Sequence, residues 1–208
     1  MAASGQETEA KFYVRDLNGI KSRLEALGAP RIQERVLEKN IRFDLPGAPL
    51  RAEGRVLRLR HDTAVRLTYK SASQKQEGVL SREEVEFTVE DFEKAKRFLE
   101  ALGYQKLVYY EKYRTTYELP PSEGFIHVML DELPYGNFVE IEGETVDSIR
   151  AAASQLGLDW DRAIAASYNA LFDRVRKSLN VAFQDLSFAE FQNRNIDAAD
   201  LGVYTADE

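Results

Sequence analysis

Short stretches of this chain alternate between charged and apolar residues with a period of two, and no other feature restricts its fold as much. In Glu7-Thr8-Glu9-Ala10-Lys11-Phe12-Tyr13-Val14 an extended backbone puts Glu7, Glu9 and Lys11 on one face and Phe12 and Val14 on the other. The same alternation returns at residues 55–61, 64–70, 82–89, 108–118, 125–131 and 137–142. The charged faces carry Arg58 and Arg60, Arg66 and Lys70, Arg82, Glu84 and Glu86, Lys112 and Arg114, Asp131, and Glu140 and Glu142. The opposite faces carry Leu57 and Leu59, Val65 and Leu67, Val85 and Phe87, and Val139 and Ile141. These apolar faces are expected to lie under helices.

The helices follow from apolar residues at helical spacing. One is expected at 16–28, with Asp16 as N-cap and Gly28 as stop, and others at 91–102, at 146–156 behind Thr145, and at 160–178. Residues 36–45 read as a further strand, 46–49 as a loop and 71–79 as a surface loop. The two halves echo each other: Glu9 to Val14 matches Glu84 to Val89, and Leu24-Glu25-Ala26-Leu27-Gly28 recurs as Leu99-Glu100-Ala101-Leu102-Gly103. Two βαβββ halves, with no βαβαβ alternation, predict an α+β fold with an antiparallel sheet and helices outside it. About eight strands suffice to close a barrel able to hold one small ligand. The expected division is a single barrel domain at 1–178 and a C-terminal extension at 179–208. For that extension, docking, partner binding and looseness all stay open.

At 208 residues the chain can bury a substantial core without staples, and having no cysteine it excludes disulfides, zinc-thiolate sites and thiol catalysis. A net charge of −7 argues against general nucleic-acid binding. No apolar run is long enough to span a bilayer and no signal segment opens the chain, so a soluble, cytoplasmic protein with no membrane partner is expected.

In an open sheet the charged faces would simply meet water. Inside a closed barrel they need a ligand, because unpaired buried charges each cost several kcal/mol. Carboxylate pairs suit Mg²⁺ or Mn²⁺, and rows of arginine and lysine suit phosphate oxygens. A triphosphate carrying its metal satisfies both sets. There is no P-loop and no Gly-x-Ser-x-Gly elbow, and His61 and His127 lie far apart in sequence.

Glu7-x-Glu9-x-Lys11 resembles the signature of the CYTH superfamily, the triphosphate tunnel metalloenzymes. Leu57-Arg58-Leu59-Arg60, Leu67-Thr68-Tyr69-Lys70, Glu84-Val85-Glu86, Lys112-Tyr113-Arg114, Leu130-Asp131-Glu132 and Gly136 to Glu142 resemble its further motifs in order, as does Ser167-Tyr168. The resemblance implies a closed eight-stranded antiparallel barrel with an open tunnel that binds triphosphate with Mg²⁺ or Mn²⁺. It implies metal ligands at Glu9, Glu140 and Glu142, with Glu7, Glu84, Glu86 and Asp131 serving a second metal or its waters. Lys11, Arg58, Arg60, Lys112 and Arg114 would bind phosphate, with Arg82 of the same parity. Lys70 would be the catalytic lysine. Arg42 stands where many relatives carry the tyrosine that partners that lysine, and an arginine cannot donate and recover a proton at neutral pH. The lysine that some relatives place near Ser167-Tyr168 is replaced by Ala165 and Ala166, leaving Arg162, Arg174 or Arg176 as substitutes.

The expected function is metal-dependent hydrolysis of inorganic triphosphate or a small organic triphosphate. A class IV adenylate cyclase and a non-catalytic polyphosphate or nucleotide binder are the alternatives. The expected partner is the triphosphate-containing small molecule, with no nucleic acid, and a homodimer stays open.

Overall fold

The structure is a computed structural model describing residues 6–76, 79–120 and 124–208, without the side chains of residues 6, 7, 75 and 76. β1 (Gln6–Val14) leads into α1 (Leu17–Ala26) and then β2 (Arg31–Asp44). Asp16 starts α1 by accepting from the Gly19 N–H at 2.9 Å, and Gly28, at φ +73°, lets the chain leave it. α2 (Pro49–Ala52) is one helical turn within and just past the expected loop, held because the Asp44 carboxylate accepts from the Leu50 and Arg51 N–H groups. The hairpin of β3 (Val56–His61) and β4 (Val65–Lys70) turns at Asp62, which accepts from the Ala64 N–H.

The expected loop at 71–79 contains β5 (Gln74–Gln76) and the start of β6 (Val79–Val89), paired as a short hairpin. The second half repeats the first with α3 (Phe92–Ala101), β7 (Gln105–Glu118), β8 (Ile126–Leu133) and β9 (Gly136–Gly143). α4 (Val146–Gln155), α5 (Tyr168–Ser178) and α6 (Ala198–Leu201) complete it. The single helix expected at 160–178 is instead a 3₁₀ turn at Trp160–Arg162, a break and α5. Ser167 accepts from the Ala170 N–H and so begins a new helix, while the Ile164 N–H donates to the Lys11 carbonyl and ties the break to β1.

All strand pairings are antiparallel, in the order β1-β9-β8-β7-β2-β3-β4-β6, and β6 returns to β1, so eight strands close a barrel with β5 attached to β6. Exchanging β1 with β6, β2 with β7, β3 with β8 and β4 with β9 leaves that order unchanged. The duplicated sequence therefore folds as two topologically equivalent halves.

Phe12, Val139 and Ile141 are buried with Ile20 and Leu24 of α1 and Ile149 of α4, and Leu99 of α3 covers Ile41, Phe43 and Leu59. One apolar face is not covered as expected: Val85 and Phe87 of β6 are 50% and 54% exposed, because α3 lies on β3. Among the described residues no helix is long and apolar enough to cross a membrane.

The last residues dock on the barrel. On the edge of β7 left free where β8 ends, the Leu186 N–H donates to the Tyr109 carbonyl (2.9 Å) and the Glu111 N–H to the Leu186 carbonyl (2.8 Å). Further on, the Ala206 N–H donates to the Tyr13 carbonyl at 2.9 Å.

Candidate active site

Strand alternation carries the charged side chains of both halves into one cavity of about 720 Å³. Its walls include Glu9 and Lys11 of β1, Arg42 of β2, Arg58 and Arg60 of β3 and Lys70 of β4. Arg82, Glu84 and Glu86 of β6, Lys112 and Arg114 of β7, and Glu140 and Glu142 of β9 complete the ring. Register fixes the neighbours: Glu9 lies opposite Glu142, Lys11 opposite Glu140, Lys70 opposite Glu84 and Arg42 opposite Arg58. The Glu7 backbone pairs with Arg82, and its side chain lies outside the described residues. Asp131 is not part of the cavity wall. It is fully buried behind it and accepts from Lys112 (2.9 Å), Arg114 (2.6 Å) and the Tyr168 hydroxyl (2.7 Å).

Many of the interior charges answer one another, although cations outnumber carboxylates around the cavity. Lys11 pairs with Glu140 at 2.8 Å, and Arg114 joins the same carboxylate to Asp131. Lys70 meets Glu84 at 2.7 Å, and Glu86 takes Arg60 (3.1 Å), Arg58 (3.5 Å) and the Thr68 hydroxyl. Arg82 stands 3.8 Å from Glu9.

Proton affinities follow from this pairing. Burial works against the Glu140 carboxylate, but Lys11, Arg114 and Lys112 override it and hold the group well below the usual range. Burial likewise opposes the Lys11 ammonium, yet Glu140 and Glu9 raise it. Arg42 is pushed down, by burial first and then by Arg51, Arg82 and Arg58, and its Nε has no hydrogen-bond partner among the described residues.

Glu38 and Arg51 escape the sequence reading, whereas Tyr168, Arg174 and Arg176, named there through the family resemblance, do line the cavity. Glu38 of β2, only 1% exposed, stands 3.5 Å from Lys112, 3.6 Å from Arg60 and 3.9 Å from Arg114. Burial pushes its carboxyl up, but Lys112, Arg114, Arg60 and Arg58 prevail and bring it to about 2. The available signal was parity, since Glu38 lies four residues before Arg42 on the same strand face. Tyr168, the first residue of α5, places its ring 4.3 Å from the Lys11 ammonium and 5.3 Å from that of Lys112. Arg174 and Arg176 of α5 and Arg51 of α2 also reach the cavity, and Asp173 meets Arg51 at 2.5 Å. Arg162 stands against Tyr204 and Asp159 and is not among the lining residues.

Among the described residues no three carboxylate or imidazole groups are gathered closely enough to hold a metal ion. The physical reason is visible: Glu140 is turned to Lys11 and Arg114. The donor chemistry nevertheless fits a hard divalent cation. Glu9, Glu140 and Glu142 share the cavity face of two adjacent strands, with Glu9 and Glu142 directly opposed, and carboxylate oxygens so placed are the donors such an ion prefers.

A closed antiparallel barrel lined on its inner face by cationic and acidic rows is the architecture of a tunnel protein. The family profile described as the CYTH domain matches residues 5–158, and the chain belongs to the CYTH family. No curated protein matches the sequence. A candidate adenylate cyclase from Vibrio parahaemolyticus superposes with a TM-score of 0.70 at 20% identity, over 81% of this chain and 99% of that one. A Pyrococcus horikoshii protein does so with a TM-score of 0.62 at 26% identity, over 78% and 96%. An adenylyl cyclase candidate from Hippeastrum, described as having a dominant triphosphatase activity, gives 0.59 at 20% identity, over 80% and 95%.

Proposed function

We propose that the protein is a divalent-metal-dependent hydrolase that removes the terminal phosphate of inorganic triphosphate or a small organic triphosphate. The observation that carries this reading is the meeting of arginine and lysine rows with the opposed Glu9 and Glu142 carboxylates inside a closed barrel. Arg58, Arg60, Lys112 and Arg114 would bind the non-bridging oxygens and hold the phosphate chain straight, with Lys11 and Arg82 at the carboxylate side. Lys70, held by Glu84, would face the leaving oxygen and stabilise the charge that develops there. Glu38 and Asp131 would set the cations from behind, and Arg42 would add charge without moving a proton. Mg²⁺ or Mn²⁺, held by Glu9, Glu140 and Glu142, would neutralise charge on the phosphate chain, and Glu7, Glu84 and Glu86 would serve a second ion. The absence of cysteine is consistent with a cytoplasmic setting.

Adenylate cyclase is the second reading, favoured by one observation: Leu107, Val108 and Phe172 give part of the cavity an apolar wall of the kind a purine needs. The purified protein, assayed with Mg²⁺ and with Mn²⁺ against inorganic triphosphate, thiamine triphosphate and ATP, should release phosphate. Formation of cyclic AMP and pyrophosphate would replace the first reading by the second, and binding without turnover would sink both. Glu142→Gln should abolish the metal-dependent turnover while keeping the circular dichroism of the wild type.

A further inference from the structure

The two halves of the barrel differ in one covering element. The correspondence that sets Glu9 on Glu84 and Leu24 on Leu99 also sets Ala10, Phe12 and Val14 of β1 on Val85, Phe87 and Val89 of β6, and Arg23 of α1 on Phe98 of α3. In the β1 half the outer face is closed. Ala10, Phe12 and Val14 are buried with Ile149, Ala152 and Ala153 of α4, and the Trp160 ring lies 6.0 Å from that of Phe12. Arg23, on the flank of α1, reaches the same helix by donating to the Leu156 carbonyl at its C-terminal end (2.5 Å). α4 follows β9, whereas β4, the counterpart of β9, leads into β5. The β6 half therefore has no α4 of its own.

The place that α4 would take is lined by apolar groups on two sides. Below it lie Val85 and Phe87, both at least half exposed. Beside it runs α3, whose Leu99 is buried in a cluster that Leu67 and Val89 pack against, so the helix borders the β6 face. Phe98, at the position from which Arg23 grips α4 in the other half, is 63% exposed, and Leu102, four residues on and so on the same flank, is 57% exposed. Single exposed apolar residues are ordinary on a soluble domain, but four large ones around one helix-sized vacancy mark a contact surface.

We propose that this surface is a contact between two copies of the chain, in which the α3 of each lies on the β6 face of the other, in the place that α4 holds over β1. The vacancy takes a helix with an apolar flank, and α3 presents one in Phe98 and Leu102. Helix and sheet face belong to one patch, which is the self-complementarity that a two-fold contact requires. The exposed rim carries both signs, with Lys94, Arg97 and Glu100 near α3's apolar flank and Glu83 and Glu90 at the two ends of the β6 face, so it offers opposite charges to its own copy.

The test is the mass of the full chain by sedimentation and light scattering, up to about 10⁻⁴ M. The wild type should reach twice the chain mass. Phe87→Glu and Phe98→Glu, both at exposed positions, should each keep the wild-type circular dichroism and raise the dimer dissociation constant about 30-fold or more. The chain has no cysteine, so Val85→Cys and Leu102→Cys chains carry one thiol each. When the two are mixed, a short bifunctional maleimide should join unlike chains in preference to like ones. A wild type that stays at one chain mass overturns the proposal and leaves the face to a helix of another protein. A dimer that both glutamate substitutions leave intact, or cross-links confined to like chains, overturns it as well.

Discussion

Glu38 offers a direct measure of how much the interior charge network contributes to stability. Its carboxylate is buried among Lys112, Arg60 and Arg114, and its pKa falls from an ordinary 4.5 to about 2. At about 1.4 kcal/mol per pH unit, that displacement corresponds to ~3 kcal/mol of folding stability. The folded value is the depressed one, so the contribution is complete above the unfolded pKa of 4.5 and is lost as pH falls toward 2. Glu38→Gln keeps the shape, removes the charge and leaves three cations with less compensation. Urea unfolding of wild type and variant at pH 7 should therefore differ by ~3 kcal/mol, with roughly half of the difference gone by about pH 3. A difference below about 0.5 kcal/mol at pH 7, within the range of an ordinary surface substitution, would refute the argument. So would a difference that does not change between pH 7 and pH 3.

Two further outcomes follow from the same geometry. Lys70→Ala should lower kcat by about 10²-fold, more than it weakens triphosphate binding; equal losses in steady-state kinetics and in calorimetric affinity would make Lys70 a binding residue only. Asp185→Ala removes the acceptor of the Tyr109 N–H, at a cost of about 1 kcal/mol. It should speed amide hydrogen exchange at Tyr109 and Glu111, and unchanged protection there would mean that the docked segment is held by other contacts.

Much of this architecture was legible because a barrel strand advertises itself locally. Two-residue alternation in Glu9 to Val14 and in Arg58 to Leu59 needs no knowledge of partners, and Asp16, Asp91 and Thr145 each cap a helix as their side chains allow. What stayed hidden depends on long-range pairing. Glu38 looks like any solvated acid until Lys112 and Arg114 close over it from β7. Asp131 has the right parity for the cavity, yet Lys112, Arg114 and Tyr168 enclose it. Residues 179–208 lack periodicity because scattered contacts hold them: Leu186 pairs at an edge that β8 leaves free, Phe191 and Leu201 are buried against the barrel, and the Ala206 N–H reaches the Tyr13 carbonyl. Val85 and Phe87 alternate correctly, and the alternation carries no information on where α3 will lie.

The equivalence of the two halves makes the charge differences between them informative. Glu9 of β1 is opposed by Glu142 of β9, whereas its counterpart Glu84 of β6 is opposed by Lys70 of β4. Lys11 is opposed by Glu140, whereas its counterpart Glu86 is opposed by Thr68. A scaffold built from two like halves has no inherent head or tail. Putting a lysine in one half where the other keeps a carboxylate gives it both, so that the two identical ends of a chain such as linear triphosphate would meet different neighbours in the barrel and become inequivalent there.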